Sequence, residues 1–359
     1  MPYLSTDYLN QVNVHFIMGA ARSGTTLLTT IFNASDKVFC APENQLIMTF
    51  YKDFAHQNPV QSRFTQRLAQ YMSPRLKRLE LKKDYHVFDQ ENLNKDIFLQ
   101  FDTQKSLNYA NTMRTLLLNI QLSNKDNTKV DTLISKDPDN VFFVKEFLQI
   151  YPNAKFIAAL RDPRAVVLSH KQSKGNAGGT LTRAYVWKKF NEALLDAFQQ
   201  YPDRILLVPY ETMVTQTEST IRQICDFLNI AFDANMANPE KSTAEQLKRP
   251  DTEDEATDRR KKRWTDLSKP INTNRMEAWK TNLSPREIQI TNTICQPIAE
   301  QLGYDLGQKT TAFEQLKIYL SQPKESLFAV LYYLILIKYY YQLPFSWRLW
   351  AVKKLNLTR

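Results

Sequence analysis

Residues 16–28 read Phe-Ile-Met-Gly-Ala-Ala-Arg-Ser-Gly-Thr-Thr-Leu-Leu, and this stretch decides the fold. An apolar run that ends at Met18 enters a turn bounded by Gly19 and Gly24, and an apolar pattern of helical spacing starts at Leu27. Backbone N–H groups in such a turn and at the start of the next helix point at one anionic group, and the helix dipole favours negative charge there. The stretch therefore predicts a phosphate-binding loop between a strand and a helix.

The two glycines have the spacing of the nucleotide-binding P-loop, but a threonine stands where that motif has a lysine. Without a lysine that reaches the β- and γ-phosphates, a triphosphate with Mg²⁺ is a poor fit. The residues expected to hold a single phosphate or sulfate-bearing group are Arg22, Ser23, Gly24, Thr25 and Thr26. An ordinary glycine-containing turn between a strand and a helix is the alternative that this segment alone leaves open.

The composition indicates a globular protein with an anionic partner. The chain has 359 residues, of which 43% are hydrophobic and 23% charged, and its net charge is +10 at pH 7. A charge of this sign favours an anionic ligand or surface, such as a phosphorylated cofactor, a membrane face or nucleic acid. Glycine is scarce, with 7 residues, which favours a helix-rich body.

The cysteines give no sign of a disulfide framework or a metal site. Cys40, Cys225 and Cys295 are far apart and odd in number, and the 4 histidines lack metal-ligand spacing. The N-terminus shows no basic region followed by an apolar core, so no signal peptide is expected. The simplest interpretation is a reduced, cytoplasmic protein without a metal.

Short apolar runs that end in polar residues predict further strands. These runs cover residues 38–41, 133–134, 155–160 and 205–208, and they lead to Glu43, Lys136, Arg161 and Tyr210. Strands that alternate with helices predict a parallel sheet flanked by helices, with ligands bound at the carboxyl ends of its strands. A helix to about residue 151 is expected after Pro138, and another over 284–302, where Ser284 and Glu287 form a capping box.

Two long segments are expected to extend this sheet domain. Residues 45–130 are predicted to be a mostly helical insertion that shapes an acceptor pocket. Residues 238–275 are rich in Pro, Thr and charge and include the basic run 259–263. They form either a flexible loop that orders over an anion or a solvated run of charge.

The last forty residues differ in character from the rest. Residues 327–337 are eleven consecutive apolar residues, and Trp347 and Trp350 follow among basic residues. Such a run is too short to span a bilayer, but aromatic residues among basic ones suit a helix that lies in a membrane surface. A helix buried against the core or a partner is the alternative. We therefore divide the chain into a domain over 1–310 and a helical extension over 311–359, with peripheral membrane contact through 327–354.

Three segments, in this order, resemble the sulfotransferases that use PAPS (3′-phosphoadenosine 5′-phosphosulfate). Residues 19–27 resemble the 5′-phosphosulfate loop of that family. Residues 156–169 resemble its 3′-phosphate motif, with Arg161 and Ser169 at the matching positions, and residues 208–214 resemble a strand-end segment common in the family. The resemblance implies an α/β fold like that of the P-loop NTPases, with PAPS as cosubstrate.

Within that superfamily the tyrosylprotein sulfotransferase branch looks nearest. The resemblance places its catalytic glutamate on Glu43, its catalytic Lys-Asp-Pro segment on 136–138, and its cofactor-covering loop on 268–272, which includes Lys269. The branch pairs a cysteine at the Cys40 position with one just before the lysine segment, where this chain has Leu-Ile-Ser. Its lysine before the loop tryptophan is Ala278 here.

The resemblance also implies roles for these residues in a reaction that depends on positioning and electrostatics. Arg22 and Lys136 would stabilise the transition state, and Glu43 would take the proton from the acceptor hydroxyl. Arg161 and Ser169 would bind the 3′-phosphate. His170 is a weaker candidate for the base, and Arg164 has two alternatives, a phosphate contact or an ion pair with an acidic neighbour.

The sequence thus predicts a PAPS-dependent sulfotransferase with a hydroxyl acceptor. Bacterial members with carbohydrate or lipid acceptors share these motifs, and we expect a carbohydrate or glycolipid acceptor and no nucleic acid. The alternatives are a protein-tyrosine sulfotransferase and a nucleotide-binding protein that resembles a P-loop kinase.

Overall fold

The computed structural model describes residues 4–41, 43, 45–60, 64, 67–68, 107–122, 129–173, 178–240, 269–307 and 309–354. Most of the predicted insertion over 45–130, residue 268 of the predicted covering loop and the basic run 259–263 lie outside the described residues.

The centre of the fold is a parallel sheet. Its strands in the described residues are β1 (Asn13–Met18), β2 (Val38–Ala41), β3 (Thr132–Lys136), β4 (Phe156–Leu160) and β5 (Ile205–Pro209). They lie in the order β2-β3-β1-β4-β5, and each neighbouring pair is parallel. The predicted parallel α/β sheet is confirmed, and each predicted strand lies within two residues of an observed one.

Helices cover the sheet and continue beyond it. Those of the described residues are α1 (Thr6–Gln11), α2 (Thr25–Asn33), α3 (Leu46–Phe54), α4 (Tyr109–Leu122), α5 (Val144–Ile150), α6 (Pro163–Lys171), α7 (Thr180–Gln200), α8 (Tyr210–Thr215), α9 (Thr217–Leu228), α10 (Trp279–Asn282), α11 (Pro285–Gln301), α12 (Ala312–Ser321), α13 (Pro323–Tyr333) and α14 (Phe345–Lys354).

Two helix predictions had different outcomes. The capping box of α11 is confirmed, because Ser284 accepts the Glu287 N–H while the Glu287 carboxylate accepts the Ser284 N–H. The single helix expected after Pro138 was wrong. A 3₁₀ turn, Pro138–Phe142, comes first, because the Asp137 side chain caps it by accepting the Asp139 N–H at 3.0 Å.

Alternate residues of β1 anchor two cores on opposite sides of the sheet. Phe16 stacks on Phe147 with ring centroids 4.0 Å apart and on Phe156 at 5.2 Å. Ile17 packs in the second core, with Leu28 of α2. Since β1 is central and fully packed on both faces, the loop that follows it starts from a rigid position.

The C-terminal extension packs on the domain. Ile318, Ala329, Tyr333 and Ile337 are buried and join the larger core. Arg348, 2% exposed, donates a hydrogen bond to the Thr49 carbonyl at 2.7 Å. Helix α13 continues into a π-helical segment, Leu334–Lys338. Within the described residues no helix is both long and apolar enough to cross a membrane.

All three cysteines are buried and free. Cys40 lies on β2 directly opposite Ile134 of β3. The resembling branch has its second cysteine just before the lysine segment, where this chain has Leu133, Ile134 and Ser135, so that bridge cannot form here. Burial raises the pKa of the Cys40 thiol to about 12.

Candidate functional site

The loop after β1 is held open for a ligand by two glycines with positive φ. Gly19 has φ +130°, and a Cβ there would lie 2.3 Å from the Ala159 carbonyl oxygen. Gly24 has φ +100° and precedes the first residue of α2. A Cβ at Gly24 would lie 2.8 Å from the Tyr210 ring. Both positions therefore need glycine, because residues with a side chain rarely adopt such a positive φ and neither position has room for a Cβ.

Hydroxyl groups line this loop where an anion would bind. Ser23 is 1% exposed, and its buried Oγ has no hydrogen-bond partner among the described residues. Thr25 is buried as the first residue of α2, and Thr26 next to it is half-buried. A buried hydroxyl without a partner is costly unless a ligand supplies one. The donor set therefore fits a phosphate or sulfate oxygen.

The structure brings the loop together with the predicted 3′-phosphate motif. Arg22, at φ 76°, donates from Nε to the Oγ of Ser169 on α6 at 2.9 Å. Two residues 147 positions apart in sequence thus form one polar surface at the carboxyl ends of β1 and β4.

Arg161 follows β4 and is held by contacts on several sides. It is 6% exposed and donates to the Arg22 carbonyl at 3.0 Å and to the Arg275 carbonyl at 2.7 Å. Its guanidinium lies 4.2 Å from the centre of the Tyr210 ring. Its Nε has no hydrogen-bond partner in the described part of the chain. Burial lowers the pKa of Arg161 from its ordinary value, which is one more reason for an anion to bind beside it.

Lys136 and Glu43 form an ion pair at the carboxyl ends of β3 and β2. Lys136 Nζ lies 2.6 Å from Glu43 Oε1; the Lys136 side chain is 6% exposed and the Glu43 side chain 43%. Burial by itself lowers the pKa of Lys136, but the Glu43 charge and hydrogen bond, together with the charges of Asp137 and Cys40, outweigh it, and the pKa is raised. Lys136 is therefore a buried ammonium, and Glu43 presents a carboxylate to solvent.

Two further carboxyl groups lie beneath this pair. Asp137 and Asp139 are each 5% exposed, and Asp139 accepts a 3.4 Å hydrogen bond from the Tyr341 hydroxyl of the extension. Burial raises the pKa of Asp137 well above its ordinary value, and the charges of Asp139 and Glu43 raise it further. The sequence indicated Asp137 only as part of the Lys-Asp-Pro segment and gave no sign of Asp139.

A cavity of about 270 Å³ opens beside the ion pair. Its polar side is formed by Glu43 and Asp137, and its apolar side by Trp187 and Phe190 of α7. The extension contributes Tyr332 and Ile337 to the lining of this cavity. The sequence gave no sign of this, because nothing in an apolar run indicates which of its residues line a cavity.

Some predicted residues have other partners. Arg164 pairs with Asp162, Nη2 to Oδ2 at 2.6 Å, and lies 3.9 Å over the Trp279 ring, so the ion-pair alternative is the one observed. His170 lines the cavity, but burial, followed by the charges of Arg183 and Arg22, lowers its pKa to about 3. Lys269 is exposed, and its contact with a cofactor stays a prediction.

Glu211, in the predicted strand-end segment, connects loops and does not face the cavity. Its carboxylate accepts the Asp162 N–H at 3.0 Å and the Tyr304 hydroxyl at 3.0 Å. This contact fixes the turn in which Arg161 stands.

Comparisons with known proteins agree with this fold. Residues 15–234 match the model of the sulfotransferase family. The chain is 26% identical over 313 residues to protein-tyrosine sulfotransferase 1 of Danio rerio, covering 84% of this chain and 76% of that protein. It is 23% identical over 326 residues to a putative protein-tyrosine sulfotransferase of Caenorhabditis briggsae, covering 88% and 92%. Among solved structures, the sulfotransferase domain of the Synechococcus PCC 7002 olefin synthase superposes with a TM-score of 0.53 at 21% identity, covering 83% of this chain and 97% of that one.

Proposed function

Since this chain belongs to the sulfotransferase family, we propose that it transfers the sulfuryl group of PAPS to the phenolic hydroxyl of a protein tyrosine. The observation that carries the proposal is the 2.6 Å pair of Lys136 and Glu43 beside the phosphate-binding loop. The curated relatives support tyrosine over the carbohydrate or glycolipid acceptor expected from the sequence, because both are described as protein-tyrosine sulfotransferases.

PAPS supplies an activated sulfuryl group on a 5′-phosphate, and the donors around the loop suit its two anionic ends. The loop N–H groups with Ser23 and Thr25 would hold the 5′-phosphate. Arg161 and Ser169, on the neighbouring strand end, would hold the 3′-phosphate with charge-assisted hydrogen bonds. Arg22 stands in the loop and contacts Ser169, so it would lie between the two anionic groups of bound PAPS.

Lys136 stabilises negative charge without giving up its partner. An ammonium has three N–H donors, so Lys136 can keep one on Glu43 and would have others for the sulfuryl group and the leaving oxygen of bound PAPS. Its burial makes this stabilisation larger than it would be in water, because the surroundings are less polar.

Glu43 receives the proton of the acceptor hydroxyl. Glu43 pairs with the Lys136 ammonium, and the 43% exposure of its side chain leaves room for an acceptor to approach the carboxylate. The neighbouring wall of Trp187 and Phe190 suits an aromatic ring, as the phenol of a tyrosine requires.

Calorimetric titration with 3′,5′-ADP, the desulfated product, tests the donor. We expect micromolar binding to the parent chain, no binding of Mg-ATP, and a loss of about 10- to 100-fold in affinity for Arg161→Ala, because one charge-assisted contact is removed. Arg222→Ala, which removes the same charge from an exposed position on α9, is the matched control. A preference for Mg-ATP would support the kinase-like alternative instead.

Transfer from labelled PAPS tests the acceptor. A tyrosine peptide should be sulfated, and the same peptide with phenylalanine at that position should not. Sulfation of a sugar or glycolipid in place of the peptide would overturn the tyrosine proposal while leaving the donor intact.

A further inference from the structure

Exposed apolar side chains are concentrated in one part of the molecule. Every large apolar side chain that is exposed in the described residues lies between residues 313 and 350. On α12 these are Phe313, Leu316 and Leu320, which recur at helical spacing on one side. The most exposed of them, Leu320, is 68% exposed.

The same arrangement continues through the next helices. Leu327, Leu331 and Ile335 recur every fourth residue along α13 and its π-helical continuation. On α14 the exposed apolar side chains are Trp347 and Trp350, which are three residues apart. We call the exposed apolar side chains of residues 313–350 the outer face of the extension. The opposite side of these helices is buried in the core, so they are apolar on both sides. A helix at an ordinary surface has a polar side instead.

Charge identifies what covers this face. Residues 311–359 include seven basic residues and two acidic ones, so they carry half of the net charge of the chain. Both acidic side chains are engaged in capping: Glu314 caps α12 at Thr311, and Glu325 accepts the Thr182 N–H at 3.0 Å. The basic side chains Lys317, Lys324 and Lys338 are exposed.

We propose that the outer face binds an anionic membrane surface. Apolar and aromatic side chains enter the interface, and the surrounding lysines contact acidic headgroups. A second copy of the chain is disfavoured as the occupant, because two such faces would bring like charges together. The proposal does not depend on the acceptor or on PAPS. Tyr332, on the same helix, lines the cavity, so a bound membrane lies close to the acceptor site.

Sedimentation of the full chain with vesicles tests the proposal. Binding should be strong to phosphatidylcholine vesicles that contain phosphatidylglycerol, weak to pure phosphatidylcholine, and weaker in 0.5 M NaCl. Leu320→Ser with Leu327→Ser should lower the affinity about tenfold or more, since two apolar contacts are lost. Lys317→Gln with Lys338→Gln should lower it about 25-fold, at about fivefold for each lysine.

Two controls show whether a loss of vesicle binding comes from the outer face itself, from misfolding of the variant, or only from a lower net charge. Gln199→Glu with Gln223→Glu removes two units of positive net charge at exposed positions outside the extension, and its vesicle binding should change much less than that of the lysine pair. Titration of 3′,5′-ADP into each variant reports the proposed function separately, and its affinity should stay unchanged.

Three results would overturn the proposal. They are absence of vesicle binding by the parent chain, equal binding by the parent and the serine variant, and a dimer without vesicles that the serine variant dissociates. The last result would assign the outer face to a second copy of the chain.

Discussion

At the scale of single residues, the proposed function places the chemistry on the pair of Lys136 and Glu43. We predict that Lys136→Met and Glu43→Gln each lower kcat by about 10²- to 10⁴-fold, because each removes a group that acts on the transition state. Turnover of labelled PAPS measures this, and 3′,5′-ADP affinity should change by no more than about threefold. Lys189→Met, which breaks a 2.6 Å ion pair with Glu192, is the matched control and should keep the parent kcat. If Lys136→Met and Glu43→Gln kept the same kcat as the control, the pair would have no role in the reaction.

His15 predicts how stability depends on pH. It is 4% exposed, its Nδ1 accepts the Lys155 N–H at 3.1 Å, and burial, followed by the Lys155 charge, lowers its pKa to about 4. The folded chain therefore keeps His15 neutral while the unfolded chain binds a proton below about pH 6.5. Stability is fully present above that pH and falls as the pH drops towards 4.

Replacing His15 should remove this part of the acid sensitivity. The free energy of unfolding of the parent should fall when the pH is lowered from 8 to 4. We expect this fall to be smaller in His15→Asn than in the parent, by up to about 3 kcal/mol. Denaturant unfolding at both pH values measures the difference. Identical losses in the two proteins would show that His15 is not protonated on unfolding.

Motif residues were predictable from the sequence, whereas their supporting contacts were not. Arg22, Arg161 and Ser169 stood in recognisable segments, and the structure joins them. The Tyr210 ring and the Arg275 carbonyl hold Arg161. These contacts could not be predicted, because no sequence pattern indicates which ring or which backbone carbonyl will lie against a given side chain.

At the scale of secondary-structure elements, the shape of the site depends on the loop between β1 and α2. We predict that Gly19→Ala lowers the unfolding free energy by at least about 3 kcal/mol and abolishes 3′,5′-ADP binding, since its Cβ would lie 2.3 Å from a backbone oxygen of β4. Gly303→Ala is the matched control. Gly303 also has a positive φ, +82°, but open space around it, so it should cost only about 1–2 kcal/mol. Equal costs for the two changes would contradict the close approach of loop and strand.

Elements were predictable where periodicity was strong. The apolar runs identified the strands because a central parallel strand is buried on both faces. The break between the 3₁₀ turn and α5 was missed, since it depends on the Asp137 side chain taking a backbone N–H, a local competition that periodicity does not record.

Glu325 couples the extension to the cavity at the scale of the whole molecule. The Glu325 carboxylate accepts two hydrogen bonds from Thr182 at the start of α7. The Thr182 N–H donates at 3.0 Å and the Thr182 hydroxyl donates at 3.2 Å. We predict that Glu325→Ala raises the KM for the acceptor and lowers the unfolding free energy by about 0.5–2 kcal/mol, while leaving 3′,5′-ADP affinity unchanged. Glu314→Ala removes a cap that serves only α12 and should leave the acceptor KM unchanged. Equal acceptor KM values in the two variants would show that the extension does not influence acceptor binding through Glu325.

The surroundings of the extension could not be predicted from the sequence. An apolar run with no polar side is equally compatible with a helix buried in the core and with a helix that faces a membrane. The structure shows one side of α12 and α13 in the core and leaves the other exposed, which is a consequence of tertiary packing alone.

The burial of all three thiols gives the protein its own reporters of unfolding. Cys40, Cys225 and Cys295 lie on β2, α9 and α11, and burial raises the pKa of each. An alkylating reagent reacts with the thiolate, so it modifies each position only when that part of the chain opens. Mass spectrometry of the three peptides over time would therefore rank the local opening rates of one edge of the sheet and two helices in a single unmodified chain.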